Sequence, residues 1–312
     1  MNWKSIFQLS KNMNADEARA FLKENQADTY QLLDVRQPKE YELEHLPGAI
    51  LIPVKELLSR IDELDPAKPT LVYCAVGGRS KAACQMLQGS NFTDVYNLSG
   101  GIKAWNGFKA KGPESLGMEF FISGEYKDAF TMAYTMEEGL QQLYLAFAEK
   151  CDNPEAKDLL LRLASFEDKH KAKLIADFKP AEADIPRVDK QSNIMEGGSS
   201  REAILHHFQQ HLSDQQDILF LAMMLETQAQ DLYSRVARKS PDQKNRDLFL
   251  HLAEEEKMHL GVCRTMTFAF EAKSAWQICF RQAPAESKDL YYKIADIITN
   301  TSPLTGDFVS DL

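Results

Sequence analysis

The sequence predicts two domains of different fold class, an α/β domain followed by an all-α four-helix bundle. Two observations predict this division. Over residues 1 to about 112, short apolar segments alternate with helix-like segments, which is typical of a parallel sheet covered by helices. The rest of the chain consists of long amphipathic segments in which one set of residues recurs at a constant offset of 89, which indicates a duplicated pair of helices.

The elements of the first domain follow from local signals. Three short apolar runs bounded by turn residues are typical of buried parallel strands: Tyr30–Val35, Thr70–Cys74 and Asp94–Leu98. Two helices are expected, one capped near Asn14: Ala15–Asn25 and Ser80–Gln88. We therefore assign residues 1–112 to the α/β domain, with residues 113–123 as a linker.

The elements of the second domain follow from helical periodicity. Four long amphipathic helices are expected, at roughly 124–151, 154–178, 200–239 and 242–273. The stretch from Pro180 to Ser200 is the long crossover connection that some four-helix bundles use. We assign residues 124–275 to the bundle. Residues 276–312 form a C-terminal extension with one helix near Glu286–Thr299.

The duplicated helices carry acidic and histidine side chains at equal spacing. Each copy contains a Glu, a Tyr seven residues later, and a Glu-x-x-His motif on the following helix. The two copies are Glu137, Tyr144, Glu167 and His170, and then Glu226, Tyr233, Glu256 and His259. A single Glu-x-x-His is most often an exposed polar pair, but two copies at equal spacing favour the ligand set of a carboxylate-bridged two-metal centre.

The surroundings of these side chains support a metal site. Carboxylates on an apolar, core-facing stripe are costly unless they are paired or bound to metal. Four carboxylates balance two divalent cations, and mixed carboxylate and imidazole ligation suits non-haem iron or manganese. The two tyrosines either pack in the core or donate a hydrogen bond to a ligating carboxylate.

A cysteine lies in the loop between a predicted strand and a predicted helix. Amides of a tight loop and the positive end of a helix dipole lower the pKa of Cys74 and stabilise an anion there. Gly77 and Gly78 allow the backbone to turn its N–H groups inward, and Ser80 is expected to cap the helix. This geometry suits a thiolate that takes up a sulfane sulfur as a persulfide. The loop alone leaves a buried core cysteine as the alternative.

Composition narrows the class of protein. Five scattered cysteines without a C-x-x-C pair argue for free thiols in a reducing compartment and against a structural zinc site. A net charge of −10 without a basic run argues against a nucleic-acid partner. No apolar run is long enough to span a membrane, and the N-terminus lacks signal-peptide features, so we expect a cytoplasmic protein.

Several motifs surround the loop cysteine in a fixed order. They are Leu33-Asp34-Val35-Arg36, Glu40-Tyr41, His45-Leu46-Pro47-Gly48-Ala49-Ile50, Leu98-Ser99-Gly100-Gly101-Ile102 and Ala104-Trp105. Together with Cys74–Arg79, this set closely resembles a single-domain rhodanese, a sulfurtransferase, over essentially all of residues 1–110. Phosphatase and arsenate-reductase relatives carry a longer loop, so the resemblance favours sulfur transfer.

The resemblance implies roles for individual residues. Cys74 would be the nucleophile that forms the persulfide, and the backbone amides of the following residues would cradle it: Ala75, Val76, Gly77, Gly78 and Arg79. Arg79 would also close the loop and add positive charge, while Asp34 and Arg36 would organise the active-site loops. Ala75 and Val76 are neutral where many thiosulfate-using members are basic or polar, so a persulfide or polysulfide donor is at least as plausible as thiosulfate.

The bundle resembles the rubrerythrin-like branch of the ferritin-like superfamily over about residues 118–273. The resemblance implies iron ligands at Glu137, Glu167, His170, Glu226, Glu256 and His259. This chain has Ala229 where rubrerythrins carry a further Glu, and it lacks their C-x-x-C rubredoxin module. An external electron donor, or the fused sulfur domain, is therefore needed for turnover.

We expect a sulfurtransferase that passes sulfane sulfur from Cys74 to a thiol acceptor, fused to a bundle with two iron ions. Manganese or zinc are alternative metals. The bundle would perform redox chemistry on peroxide, oxygen or a sulfur species, and is expected to form a homodimer. The rival interpretation is a sulfide- or redox-responsive protein whose bundle is a non-catalytic iron-binding or dimerisation module. The sequence does not identify the sulfur donor, the acceptor, the electron donor or the native metal.

Overall fold

The computed structural model describes residues 11–118, 129–178, 180, 185, 195, 200–208 and 215–282. It shows an α/β domain followed by a helical domain, as predicted. The helix predicted near residues 286–299 lies outside the described residues. In the part of the chain that the structure describes, no helix is both long and apolar enough to cross a membrane.

A five-stranded parallel sheet forms the centre of the first domain. Its strands are β1 (Lys11–Met13), β2 (Gln31–Asp34), β3 (Ile50–Leu51), β4 (Thr70–Tyr73) and β5 (Val95–Leu98). They pair in the order β1-β5-β4-β2-β3. Every residue of β2 and β4 is buried, which explains why these strands read as continuous apolar runs.

Three helices cover this sheet. They are α1 (Ala15–Glu24), α2 (Pro38–Leu43) and α3 (Gly78–Gly89). The Asn14 side chain accepts from the amides of Asp16 and Glu17, and Glu17 accepts from the Asn14 amide, which completes a capping box at the predicted start of α1. The apolar residues divide into two core clusters.

The second domain consists of long helices. They are α4 (Ala129–Lys150), α5 (Pro154–Phe178), α6 (Arg201–Phe208), α7 (Gln215–Lys239) and α8 (Gln243–Gln282). The predicted third helix corresponds to α6 and α7, which flank residues 209–214 outside the described part. Helix α8 ends at residue 282 rather than 273, because no proline interrupts the chain before Pro284, and it therefore runs through the predicted domain boundary at 275.

The two domains contact each other through segments that precede strands of the sheet. Before β2, the Ala27 amide donates to Glu254 at 2.6 Å and the Asn25 carbonyl accepts from Lys257 at 2.7 Å. Before β3, the Gly48 amide donates to Asp231 of α7 at 2.9 Å. Since neighbouring strands are parallel, these contacts lie at or near the edge of the sheet where the strands begin.

Asp231 is the centre of this interface. Its carboxylate also accepts from Arg235 at 2.8 Å and lies 3.2 Å from His45 Nε2, and all three side chains are buried. The carbonyl groups of Glu114 and Leu116 accept from Arg235 at 3.0 and 2.7 Å. The interface is therefore built around a buried charge that is satisfied from both domains.

Candidate functional site

Cys74 lies directly after the central strand β4, at the start of the loop that leads into α3. Its side chain is almost completely buried, while Val76 in the same loop is 61% exposed. Gly77 has a positive φ of 96°, a conformation that favours glycine, and it turns its amide N–H onto the sulfur at 3.1 Å. The predicted cradle is thus present at Gly77, which is also the residue that precedes the helix.

The loop stabilises the thiolate of Cys74. Burial raises the pKa of the thiol, but hydrogen bonds from Ser80 and from the amides of Val76 and Gly77 outweigh it, so the pKa lies below its ordinary value. The Ser80 hydroxyl lies 3.4 Å from the sulfur and also donates to Asn97 at 2.6 Å. Ser80 does not cap the helix as predicted, because α3 begins two residues earlier and Ser80 is buried within its first turn.

A second turn, which contains Gly101, forms hydrogen bonds with the backbone of the Cys74 loop. The Ile102 amide donates to the Cys74 carbonyl at 2.8 Å, and the Lys103 amide donates to the Ala75 carbonyl at 3.2 Å. Gly101 has a φ of 59°, and a Cβ added there would lie 2.3 Å from the Cys74 carbonyl oxygen. Only glycine permits this close approach of the two backbone segments, and their hydrogen bonds hold the backbone at Cys74 in place.

The positive charge of Arg79 is paired with the Glu40 carboxylate. Its guanidinium donates twice to the Glu40 carboxylate, at 2.6 and 2.7 Å, and this holds the pKa of Glu40 down at about 2. The predicted positive charge beside Cys74 is therefore paired with an ionised carboxylate. Sequence analysis missed Glu40 as a partner, although it lies in the quoted Glu40-Tyr41 motif.

Asp34 and Arg36 form a buried ion pair at the end of β2. Arg36 donates to both carboxylate oxygens of Asp34, with Nη2 at 2.7 Å, and its Nη2 also donates to the Glu44 carbonyl at 2.6 Å. Within the part of the chain that the structure describes, neither side chain forms a hydrogen bond with the Cys74 sulfur. The pair ties the end of β2 to the segment before His45, and its role in organising the active-site loops stays a prediction.

The structure assembles the six predicted metal ligands in two trios. Each trio offers one ligand atom per residue, and these atoms all lie within 4.8 Å of one another. In the first trio, His170 Nδ1 lies 3.2 Å from Glu137 and 2.9 Å from Glu167. In the second, His259 Nδ1 lies 3.3 Å from Glu256 and 3.7 Å from Glu226.

The two trios adjoin each other. The imidazole rings of His170 and His259 stack with centroids 4.0 Å apart and planes within 9°. This contact brings both Glu-x-x-His motifs to one point in the bundle, as the repeat predicts. The four carboxylates are all buried, with exposures of 1% for Glu137, 2% for Glu167, 4% for Glu226 and 1% for Glu256.

This donor set fits two divalent cations. Four buried carboxylates are expensive to hold together, and the two imidazoles supply less positive charge than four carboxylates need. Burial lowers the pKa of His170, but its hydrogen bonds to Glu137 and Glu167 outweigh that effect and raise the pKa to about 12. The first trio therefore already attracts a positive charge to the position that a metal would take.

The two predicted tyrosines are completely buried beside the trios. Tyr144 packs in one apolar cluster of the bundle and Tyr233 in the other. The Tyr233 ring lies 6.1 Å from that of Phe249. Core packing is therefore established for both, and a hydrogen bond to a ligating carboxylate stays a prediction.

A buried charged cluster beside the first trio was not predicted. Lys171 follows His170, and it pairs with Glu138 and donates to Gln141 at 2.5 Å. All three side chains are at least nine-tenths buried. The sequence indicates this cluster only by position. Lys171 and Glu138 each directly follow a predicted ligand, and Gln141 lies one turn after Glu137.

Glu255, which directly precedes the predicted ligand Glu256, is also buried. Its side chain is 6% exposed and pairs with Lys173 of the neighbouring helix. Cys263 is also buried, and burial together with Glu226 and Glu167 raises the pKa of its thiol. The pKa of Cys263 is therefore shifted in the opposite direction to that of Cys74, which disfavours its thiolate.

Comparison with known proteins matches the α/β domain and the helical domain to two different families. A family model described as Rhodanese-like domain matches residues 14–107, and one described as Rubrerythrin matches residues 128–260. "Uncharacterized protein YqhL" of Bacillus subtilis is 39% identical over 104 residues, which cover 33% of this chain and 79% of that protein. "Thiosulfate sulfurtransferase GlpE" of Pseudomonas syringae is 36% identical over 74 residues, covering 24% and 70%. A crystal structure of a rhodanese-like domain protein from Staphylococcus aureus is 28% identical and covers 31% of this chain and 91% of that one, with a TM-score of 0.29.

Proposed function

Because the chain belongs to the rhodanese-like family through its first domain and continues into a rubrerythrin domain, we propose that it transfers sulfane sulfur through a persulfide on Cys74 and holds two iron ions in its bundle. The observation that carries the first part is the Gly77 amide 3.1 Å from the Cys74 sulfur, in a loop that lowers the pKa of the thiol. The observation that carries the second is the pair of adjoining carboxylate–histidine trios.

Sulfur transfer proceeds in two displacements. The Cys74 thiolate attacks the outer sulfur of the donor, the sulfur–sulfur bond of the donor breaks, and its electron pair leaves with the donor fragment. The terminal sulfur of the resulting persulfide carries the negative charge and is stabilised by the loop amides. A thiolate acceptor then attacks that sulfur, and the electron pair of the broken bond returns to Cys74. No oxidant or reductant is consumed.

The charge around the loop favours a monoanionic donor. Thiosulfate is a dianion, and the loop offers it neutral side chains at Ala75 and Val76 and an arginine already paired with Glu40. We therefore propose a persulfide, or an organic polysulfide that carries a single negative charge, as the donor, with a thiol as the acceptor. The relative named a thiosulfate sulfurtransferase supports the reaction class.

Sulfur transfer is tested by steady-state kinetics with thiosulfate and with a low-molecular-weight persulfide. We expect a higher kcat/KM for the persulfide, and loss of both activities in Cys74→Ser. Cys151→Ser makes the same chemical change at a half-exposed thiol of the second domain and should leave both activities intact. Full activity of Cys74→Ser would refute the persulfide, and a higher kcat/KM for thiosulfate would refute the choice of donor.

In the bundle, the chain's own residues would provide the holding site for the metal. Glu137, Glu167 and His170 would hold one ion, and Glu226, Glu256 and His259 the other. Two iron ions bound there would supply redox chemistry toward peroxide, oxygen or a sulfur species. The apolar packing around Tyr144 and Tyr233 limits access of water to the buried carboxylates.

Elemental analysis of protein purified without oxygen tests the metal site. We expect about two irons per chain, an optical spectrum that changes with peroxide, and loss of iron in Glu167→Ala. Glu155→Gln removes an exposed carboxylate from the same helix and should retain the iron. Chains without iron, or with zinc that ignores peroxide, would overturn the proposal.

The second candidate function is an iron-binding or dimerisation module without turnover. Ala229, where rubrerythrins carry a further Glu, favours this candidate, because it is buried and offers no ligand atom. Full iron content without peroxide consumption would establish it. Light scattering of the intact chain checks the predicted homodimer in the same preparation.

A further inference from the structure

A cleft of about 530 Å³ lies where the two domains meet, and Cys74 is not among its lining residues. One wall is formed by α1 and by the segment around Trp105–Phe108 of the first domain. The other wall is formed by one face of α8, from Lys257 to Thr265. The volume is in the range of sites for small organic ligands.

All four charged side chains that line the cleft are positive, although the chain as a whole carries −10. Arg19 is paired with Asp16, and Lys257 with Glu254 at 3.1 Å. Lys23 and Arg264 are exposed, and neither forms an ion pair with any residue that the structure describes. The cleft therefore carries about two uncompensated positive charges, which attract an anion.

The internal repeat shows that the bundle fold does not require these charges. At the offset of 89, Lys257 corresponds to Asp168 and Arg264 to Ile175. The equivalent face of α5 thus carries an acid and an apolar residue in place of the two cations. The positive residues occur on the copy of the helix that faces the first domain.

The floor of the cleft is largely aromatic. Trp105 and Phe108 line it together with Leu260, and the Arg19 guanidinium lies 5.6 Å from the centroid of the Trp105 ring. A Cβ at Gly107 would lie 2.7 Å from Trp105 Nε1, so a side chain there would displace the ring. An aromatic floor beside fixed cations suits a planar ring system that carries negative charge.

We propose that this cleft is a third site, which binds an organic phosphate bearing a planar aromatic ring system, of the mononucleotide or flavin phosphate class. The ring stacks on the Trp105–Phe108 floor, and the phosphate dianion contacts Lys23 and Arg264. The site rests on the cleft and its charges and does not depend on the proposed chemistry of Cys74 or of the metal trios.

Titration of the intact protein with flavin mononucleotide, followed by the fluorescence of the flavin, tests the site. We expect saturable binding at micromolar concentrations, and dissociation constants raised at least about tenfold in Lys23→Glu and in Arg264→Glu. Lys157→Glu makes the same charge change on an exposed part of α5 and should not alter binding.

Two further measurements separate the stated class from simpler explanations. Gly261 faces open space, so Gly261→Leu fills the cleft without changing charge and is expected to abolish binding. Riboflavin, which lacks the phosphate, is expected to bind at least about tenfold more weakly. Absence of saturable binding, displacement of the flavin by equimolar inorganic phosphate, or equal weakening by Lys157→Glu would overturn the proposal. Unchanged alkylation of Cys74 in each variant shows that the protein is folded.

Discussion

Replacement of Asp231 by alanine is expected to weaken the junction of the two domains more than any other single truncation there. The carboxylate accepts from Arg235 and from the Gly48 amide, and it lies 3.2 Å from His45 Nε2. Breaking a buried ion pair costs about 3–5 kcal/mol. Arg235 keeps carbonyl acceptors in the 113–118 segment, so we expect the lower value, about 3 kcal/mol. This corresponds to about a 150-fold change in the folding equilibrium.

Urea unfolding followed by far-ultraviolet circular dichroism and by tryptophan fluorescence measures this effect. We expect the Asp231→Ala transition at lower urea, with the two probes no longer coincident, because one domain would unfold before the other. Gln142 occupies the equivalent position of the repeat, and its amide donates to Glu138 within its own helix. Gln142→Ala is therefore the matched control, expected to cost about 1 kcal/mol or less. Equal stability of the two variants would refute the reasoning.

The same interface predicts a pH dependence. Burial raises the pKa of Asp231, but Arg235, His45 and the Gly48 amide outweigh it, so the pKa of the folded protein lies below the ordinary value of 3.8. A lowered pKa stabilises the folded state above the unfolded pKa, and this contribution is lost as the pH falls below about 4. The difference in stability between the wild type and Asp231→Ala should therefore shrink as the pH falls below about 4.

Three predictions concern the Cys74 loop: the first two are measured by the rate of thiol alkylation against pH, and the third by urea unfolding of the intact protein. Ser80→Ala removes a hydrogen bond to the thiolate, so the pKa of Cys74 should rise and alkylation at pH 7 should slow about two- to tenfold; an unchanged profile would show that the hydroxyl serves Asn97 alone. Glu40→Gln frees Arg79 from its partner, so the pKa of Cys74 should fall and alkylation should quicken by roughly threefold, as expected for a partly exposed charge; slower alkylation would contradict this. Gly101→Ala introduces a Cβ only 2.3 Å from the Cys74 carbonyl oxygen at a positive φ, so it should destabilise the first domain by about 1–3 kcal/mol. Gly89→Ala places its Cβ in open space and should leave the stability unchanged.

The fold and both sites were predicted where the sequence carries a period or a local signal. The offset of 89 predicted which six side chains meet in the bundle, and the loop glycines predicted the cradle for Cys74. The pairing of Arg79 with Glu40 was missed because it joins residues 39 positions apart, and no periodicity links α2 to the start of α3. The burial of Glu255 was missed for a similar reason, since its partner lies on another helix.

The domain junction was also beyond sequence reasoning. His45 belongs to a recognisable motif, but its contact with Asp231 depends on how one domain packs on the other. Asp231 lies on a mixed polar and apolar stretch of α7 and resembles an ordinary surface acid in the sequence. Such contacts have no spacing rule, because they form between surfaces that fold independently.

The direction of the strands separates Cys74 from several of the contacts between the two domains. Asn25, Ala27 and Gly48, which touch the bundle, precede β2 and β3, whereas Cys74 follows β4, the other neighbour of β2. Strand β4 is about 13 Å long, so Cys74 and these contacts lie toward opposite ends of the parallel strands. If Cys74 carries sulfur as proposed, the fusion would act as a tether between two separate sites, and sulfur would reach the carboxylates of the bundle on a diffusing thiol or on another chain.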